Sequence, residues 1–244
     1  MTQALTPTER AAAETDNVPP LVNGDHLTRE EFHRRYEAMG EGTRAELIEG
    51  IVYVYNDGMG SPVSNDKHAQ PHFDLITWAG IYAARTPGLL RGADGTVFAD
   101  LDNEAQPDVM LGIPETKGGQ TRTAMINGKR YIANAPEFVA EITASTASID
   151  LNAKLRAYQR NGVLEYLVVL TEVEPAELRW LVLENGRFER IDLDDGLFKS
   201  RVFPGLWLDP VALLNGDAAG LMDGVTRGCA EDSRREAFLA QLAG

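Results

Sequence analysis

Two short apolar runs bracket a helical row between residues 137 and 170, and this pattern leaves the chain few ways to fold. The first run is Glu137-Phe138-Val139-Ala140-Glu141-Ile142-Thr143, and the second spans 164–170. Between them Asp150, Lys154, Tyr158 and Gly162 recur at every fourth residue, the spacing of one helix face. Short apolar runs bounded by turn formers read as buried strands. A strand, a helix over 149–161 and a second strand make a βαβ unit, which requires two parallel strands in one sheet and a right-handed crossover.

The first run contains an anomaly. An unpaired buried charge is costly, so a carboxylate such as Glu141 inside a core strand calls for a partner. A second acid, Asp108, opens the run Gln106-Pro107-Asp108-Val109-Met110-Leu111-Gly112. Two carboxylates on neighbouring strands, followed by a lysine on the next helix, are the parts of a metal-dependent hydrolase. Mg²⁺ or Mn²⁺ takes hard oxygen ligands from the protein and fills its remaining positions with water and substrate phosphate. Such an ion acidifies water and offsets charge building on a phosphate. Asp108 and Glu141 are therefore candidate metal ligands, with the carbonyl of Ile142 as a third donor. Lys154 is a candidate for orienting the attacking water, and Glu46 for a fourth acidic member. A plainer account stands beside this one: Pro-Asp often opens a turn, and Asp150 and Lys154 have the spacing of a surface ion pair.

The remaining chain reads as one α+β domain over 25–214, with a mixed sheet. A surface tail (1–24) precedes it, and a C-terminal extension (215–244) ending in a helix over 231–242 follows. Thr28 and Glu31 have capping-box spacing for a helix reaching Gly40. Arg44–Tyr55 reads as a hairpin turning at Glu49-Gly50, followed by a loop over 56–65. A helix over 66–85 would turn His68, Phe73, Ile76, Ala79, Gly80 and Ala83 to the core. One or two strands fall in 89–101, and 114–131 reads as a long polar loop. Asn185-Gly186 turns a second hairpin, a strand spans 198–203, and Trp207 anchors the packing of the segment that closes the sheet. His26 and His33 read as solvated, Tyr158 as core. His68 would contact phosphate, assist proton transfer from the start of its helix, or bond nearby backbone. His68 and His72 are four apart, as in a metal-binding pair, but no third ligand is visible in the sequence.

A formal net charge of −14 over 244 residues weighs against loose electrostatic attachment to nucleic acid, whose affinity comes from Lys and Arg neutralising phosphates. The single cysteine, Cys229, excludes an intramolecular disulfide and a cysteine-based zinc site. No signal-like segment opens the chain and no apolar run approaches the roughly 20 residues of a membrane span, so a cytoplasmic protein without a membrane partner is expected.

The motifs occur in a recognisable order. Arg44-Ala45-Glu46-Leu47-Ile48-Glu49-Gly50, His68, Pro107-Asp108-Val109 and Phe138-Val139-Ala140-Glu141-Ile142 with Ser145-Thr146 come first. Asp150, Lys154, Tyr158, Gly162-Val163, Glu165-Tyr166 and Pro204-Gly205-Leu206 with Leu208 follow. Over residues 28 to 214 this set resembles the Uma family of restriction endonucleases, within the PD-(D/E)xK nuclease superfamily. The resemblance implies a restriction-endonuclease-like core: a mixed β-sheet flanked by helices, with Mg²⁺ or Mn²⁺ at its edge and DNA as substrate. Asp108 matches the first acid of the motif, Glu141 the second, and Glu46 the acid of the N-terminal hairpin. The usual motif lysine would fall at Thr143; in this family it lies on the following helix, here Lys154. Thr143-Ala144-Ser145 departs from the family's usual aliphatic residue followed by Ser-Pro. Nucleases of this fold often act as homodimers, with 171–210 a candidate surface here. A non-catalytic interaction module on the same fold, or a hydrolase of small phosphoesters, would share many of these residues.

Overall fold

The computed structural model describes residues 18–39, 42–57, 63–143 and 146–244. They fall into two compact units: one made of the chain up to Pro62 with Asp100–Glu104, the other of Val63–Ala99 with Ala105–Gly244. The tail expected over 1–24 lies largely outside the described residues, as do 58–62 of the expected loop and Ala144-Ser145.

In the first unit, Thr28 caps the helix Arg29–Ala38 by accepting the Glu31 N–H at 3.3 Å. Strands Thr43–Ile48 and Ile51–Asp57 form the expected antiparallel hairpin. Its turn residues Glu49 and Gly50 both have positive φ, 54° and 77°, as a type I′ turn requires. Phe32, Ala45, Leu47 and Val52 make a small core. Glu46 is fully buried in the first strand. His33 is not solvated as its charged helix suggested. It is buried, and its Nδ1 lies 2.9 Å from Glu104 Oε1, a contact that pushes the imidazole pKa up. The sequence separation of 71 residues hides this partner from any local pattern.

The second unit is built on a six-stranded mixed sheet. Its order is Arg187–Arg190, Glu177–Glu184, Glu165–Leu170, Phe138–Thr143, Val109–Gly112, Leu90–Gly92. The central pair is parallel, as the βαβ reading requires, with Tyr166 beside Val139 and Val168 beside Glu141; its other neighbours pair antiparallel. One face is covered by the helix Gln70–Ala84. Trp78 packs on Phe138 and Trp180 with ring centroids 6.0 Å away in each case. The C-terminal helices Pro210–Asn215, Ala218–Glu231 and Arg235–Ala243 add Leu213, Val225 and Phe238 to the same core. Gly228 permits this closeness, since a Cβ there would sit 2.4 Å from the Gly205 carbonyl oxygen.

Four further expectations differ from the structure. The helix over 70–84 buries Pro71, Asp74, Leu75, Trp78 and Tyr82, while Phe73 is 70% exposed: the core face is set by the two large aromatics rather than by Phe73 and Ile76. The segment read as a polar loop contains a hairpin, Arg122–Ile126 with Lys129–Ala133, turning at Asn127-Gly128, both at positive φ. Only Phe198–Lys199 of the expected strand pairs, with Trp207–Leu208, in a separate ribbon. The terminal helix starts at Arg235, after an unanticipated helix, Ala218–Glu231.

Candidate active site

The pleat sorts the strand Phe138–Thr143 into two faces. Phe138, Ala140 and Ile142 enter the aromatic core, so Val139, Glu141 and Thr143 face the helix Leu155–Asn161 on the other side. Val109 registers with Ala140, which places Asp108 one step on, opposite Glu141. The two acids expected to act together thus lie on adjacent strands at the same level of the sheet. Asp108 Oδ2 accepts the Ile142 N–H at 2.7 Å, so this backbone group steers the first acid toward the second strand.

Lys154 completes the arrangement. Residues Ile149–Lys154 form a wide π-helical turn leading into the helix Leu155–Asn161, and such turns recur at functional sites. Lys154 Nζ donates to Glu141 Oε1 at 3.0 Å and lies 3.5 Å from Asp150 Oδ1. Tyr158, one turn on, donates its hydroxyl to the same Glu141 oxygen at 2.8 Å. Thr146 donates to the Asp150 carboxylate, and Tyr166 to its backbone carbonyl. Asp108, Glu141, Asp150 and Lys154 are all at most 3% exposed. The Asp150–Lys154 spacing is therefore not a surface ion pair. Three carboxylates and one ammonium leave a formal negative excess in a desolvated place, the condition that favours a cation.

A further grouping borders Asp108. His72, from the first turn of Gln70–Ala84, holds Nε2 3.5 Å from Asp94 Oδ2 and 3.4 Å from the Asp108 carbonyl oxygen. Ligand atoms of His72, Asp94 and Asp108 all lie within 4.8 Å of one another. Asp94 sits in a left-handed turn, φ 52°, tied to the site by its N–H donating to the Pro107 carbonyl at 3.1 Å. His68, the histidine singled out from sequence, stacks on His72 with ring centroids 5.5 Å apart. Carboxylate oxygens with an imidazole nitrogen are a donor set that divalent ions accept, so the residues present fit a metal.

The structure thus brings together Asp108, Glu141 and Lys154 and sets His68 beside the His72 grouping; Glu46 belongs to the first unit. Sequence reasoning missed Asp94, Asp150 as a buried group, and the hydroxyl role of Tyr158. The regular row of Asp150, Lys154 and Tyr158 carried a signal for the last two, whereas Asp94 shows only as an Asp-Gly turn.

No curated protein matches the chain. The fold is similar to the crystal structure of "a putative nuclease belonging to DUF820" from Anabaena variabilis, with a TM-score of 0.54 and 14% sequence identity over 82% of this chain and 99% of that one. A family model, Uma2, described as "Putative restriction endonuclease", matches residues 29–211. With the carboxylates and lysine of the ordered motif set inside that span, the chain belongs to the Uma2 family.

Proposed function

We propose that the chain is a divalent-metal-dependent endonuclease that hydrolyses DNA phosphodiester bonds. The observation that carries this reading is the pairing of two buried acids, Asp108 and Glu141, across adjacent strands, with the buried Lys154 bonded to Glu141. Asp108 and Glu141 would hold Mg²⁺ or Mn²⁺, which when bound lowers the pKa of water and offsets charge on the scissile phosphate. Lys154 would orient the attacking water and stabilise the developing charge from its position 3.0 Å from Glu141. Tyr158 holds Glu141 in place, a positioning role. Water adds to phosphorus in line with the 3′ oxygen, the P–O3′ bond breaks, and the 3′ oxygen leaves as a hydroxyl once protonated. His68 would contact a phosphate. Glu46 enters this reading from the family pattern, as its fourth acid. A homodimer would let two such sites cut both strands.

The net charge of −14 favours one competing reading, an interaction module that keeps the fold without chemistry. Plasmid nicking separates the two. Asp108→Asn is expected to stay folded and lose about a thousandfold in rate, matching the several kcal/mol a metal contributes. Wild-type protein that leaves supercoiled plasmid intact in Mg²⁺ and Mn²⁺ would contradict the nuclease reading.

A further inference from the structure

We infer that the ion at this site is held by Asp108 together with His72 and Asp94, and that the imidazole makes the site favour a first-row transition-metal ion over Mg²⁺. The inference rests on the nuclease reading only in taking Asp108 as a metal ligand; His72 and Asp94 lie outside that reading. The three residues come from three separate segments: the start of the helix Gln70–Ala84, the turn after strand Leu90–Gly92, and the entry to strand Val109–Gly112. Tertiary structure, not local sequence, brings them to one point.

Their spacing fits an ion better than it fits mutual hydrogen bonding. His72 Nε2 keeps 3.4–3.5 Å from both the Asp108 carbonyl and Asp94 Oδ2, beyond the roughly 2.9 Å of a settled N–H···O bond. Ligands about 2.1 Å from a common ion stand roughly 3 to 4.2 Å apart. The donor atoms here span no more than 4.8 Å, so a small contraction would close them on an ion. Two further contacts fasten the arrangement. The Asp94 backbone is fastened to Pro107, the residue before Asp108, and the His68 ring stacks on His72.

The choice of ion follows from ligand chemistry. Mg²⁺ demands near-ideal octahedral oxygen coordination and gives up its water reluctantly, whereas imidazole suits transition metals. A site with His72 as ligand therefore discriminates against Mg²⁺ more strongly than an all-carboxylate site would. Glu141, whose Oε1 accepts from both Lys154 and Tyr158, stays the second carboxylate ligand, across the strand boundary from Asp108.

Mn²⁺ binding to the full chain tests this, by calorimetry for affinity and by pulsed electron paramagnetic resonance for nitrogen bound to the metal. Wild type should bind Mn²⁺ more tightly than Mg²⁺ and show ¹⁴N coupling from one imidazole. The coupling should vanish in His72→Ala and His72→Gln and persist in His68→Ala. Mn²⁺ affinity should fall at least about tenfold in the His72 variants and in Asp94→Asn. Asparagine tolerates the left-handed backbone at position 94, and circular dichroism checks that each variant is folded. Mn²⁺ bound without nitrogen coupling, or with unchanged affinity in a folded His72 variant, would overturn the inference, as would coupling that disappears with His68. Plasmid nicking on the same samples keeps the two readings apart. Nicking that depends on Asp108 but not on His72 leaves the nuclease reading standing and this inference refuted; nitrogen coupling without nicking does the reverse.

Discussion

The strand Phe138–Thr143 has a buried carboxylate just before its start and another near its end, and the fold satisfies them in opposite ways. Glu137 accepts from the N–H groups of Ile113 and Gln120 and from the Thr121 hydroxyl, all at 2.6–2.7 Å. Its partner on the neighbouring strand, Glu165, accepts from the Ser200 hydroxyl and the Arg201 N–H. These donors are neutral and belong to connecting segments, so the carboxylates act as pins that hold those segments to the sheet. Glu141, four residues on from Glu137, instead meets the Lys154 ammonium and the Tyr158 hydroxyl, with Asp108 across the strand boundary. A buried anion closed by neutral dipoles is architecture. One set beside an ammonium and a second acid is where we propose the chemistry, because the group's charge is balanced by partners that a phosphate and a cation can also engage.

Lys154→Met breaks the comparison most severely. It leaves Glu141 and Asp150 buried without their ammonium, which should cost about 3–5 kcal/mol of stability and remove nicking activity. Chemical denaturation reads the first and plasmid nicking the second. A variant as stable as wild type would show that the lysine is not balancing those acids.

The pin side predicts a pH effect. Burial pushes the Glu165 carboxyl up to about 7, against the pull of its hydrogen bonds. Because the folded state holds the proton more tightly than the unfolded chain, this contribution is fully present below about pH 4.5 and is lost as pH rises through about 7. Wild type should therefore lose roughly 3 kcal/mol relative to Glu165→Gln between those limits, as followed by urea unfolding. Parallel pH profiles for the two proteins would refute the assignment.

A smaller change sharpens the other side. Tyr158→Phe removes one hydrogen bond to a charged oxygen, worth about 1.5–3 kcal/mol, and keeps the ring packed on Tyr166 at 5.1 Å. Nicking should slow by about tenfold with metal affinity nearly unchanged, the mark of a residue that positions Glu141. An unaltered rate would return Tyr158 to the packing role its helix spacing suggests.

How far these features were legible in the chain follows from the range of the forces involved. The βαβ unit could be read because apolar runs and helical spacing are local and agree with one another. The placement of Asp108, Glu141 and Lys154 on two strands and the following helix was readable for the same reason, while their grouping as a candidate site leaned on the ordered family motifs. The hairpin at Asn127-Gly128 escaped because its strands are exposed and polar, lacking the apolar alternation that marks a strand, although the turn dipeptide itself was a signal. The face of the helix over 70–84 was misjudged because Asp74 is buried and Phe73 exposed, a choice made by the packing of Trp78 and Tyr82. Asp94 and the Glu104 partner of His33 depend on contacts between distant segments, which no window along the sequence contains.

The most direct test of the account pairs Glu141→Gln with Glu137→Gln, measuring nicking rate per folded molecule. The account predicts that Glu141→Gln folds but loses nicking, whereas Glu137→Gln is less stable yet cuts at close to the wild-type rate while folded. Equal nicking by folded Glu141→Gln and wild type would contradict the account and return both carboxylates to architecture.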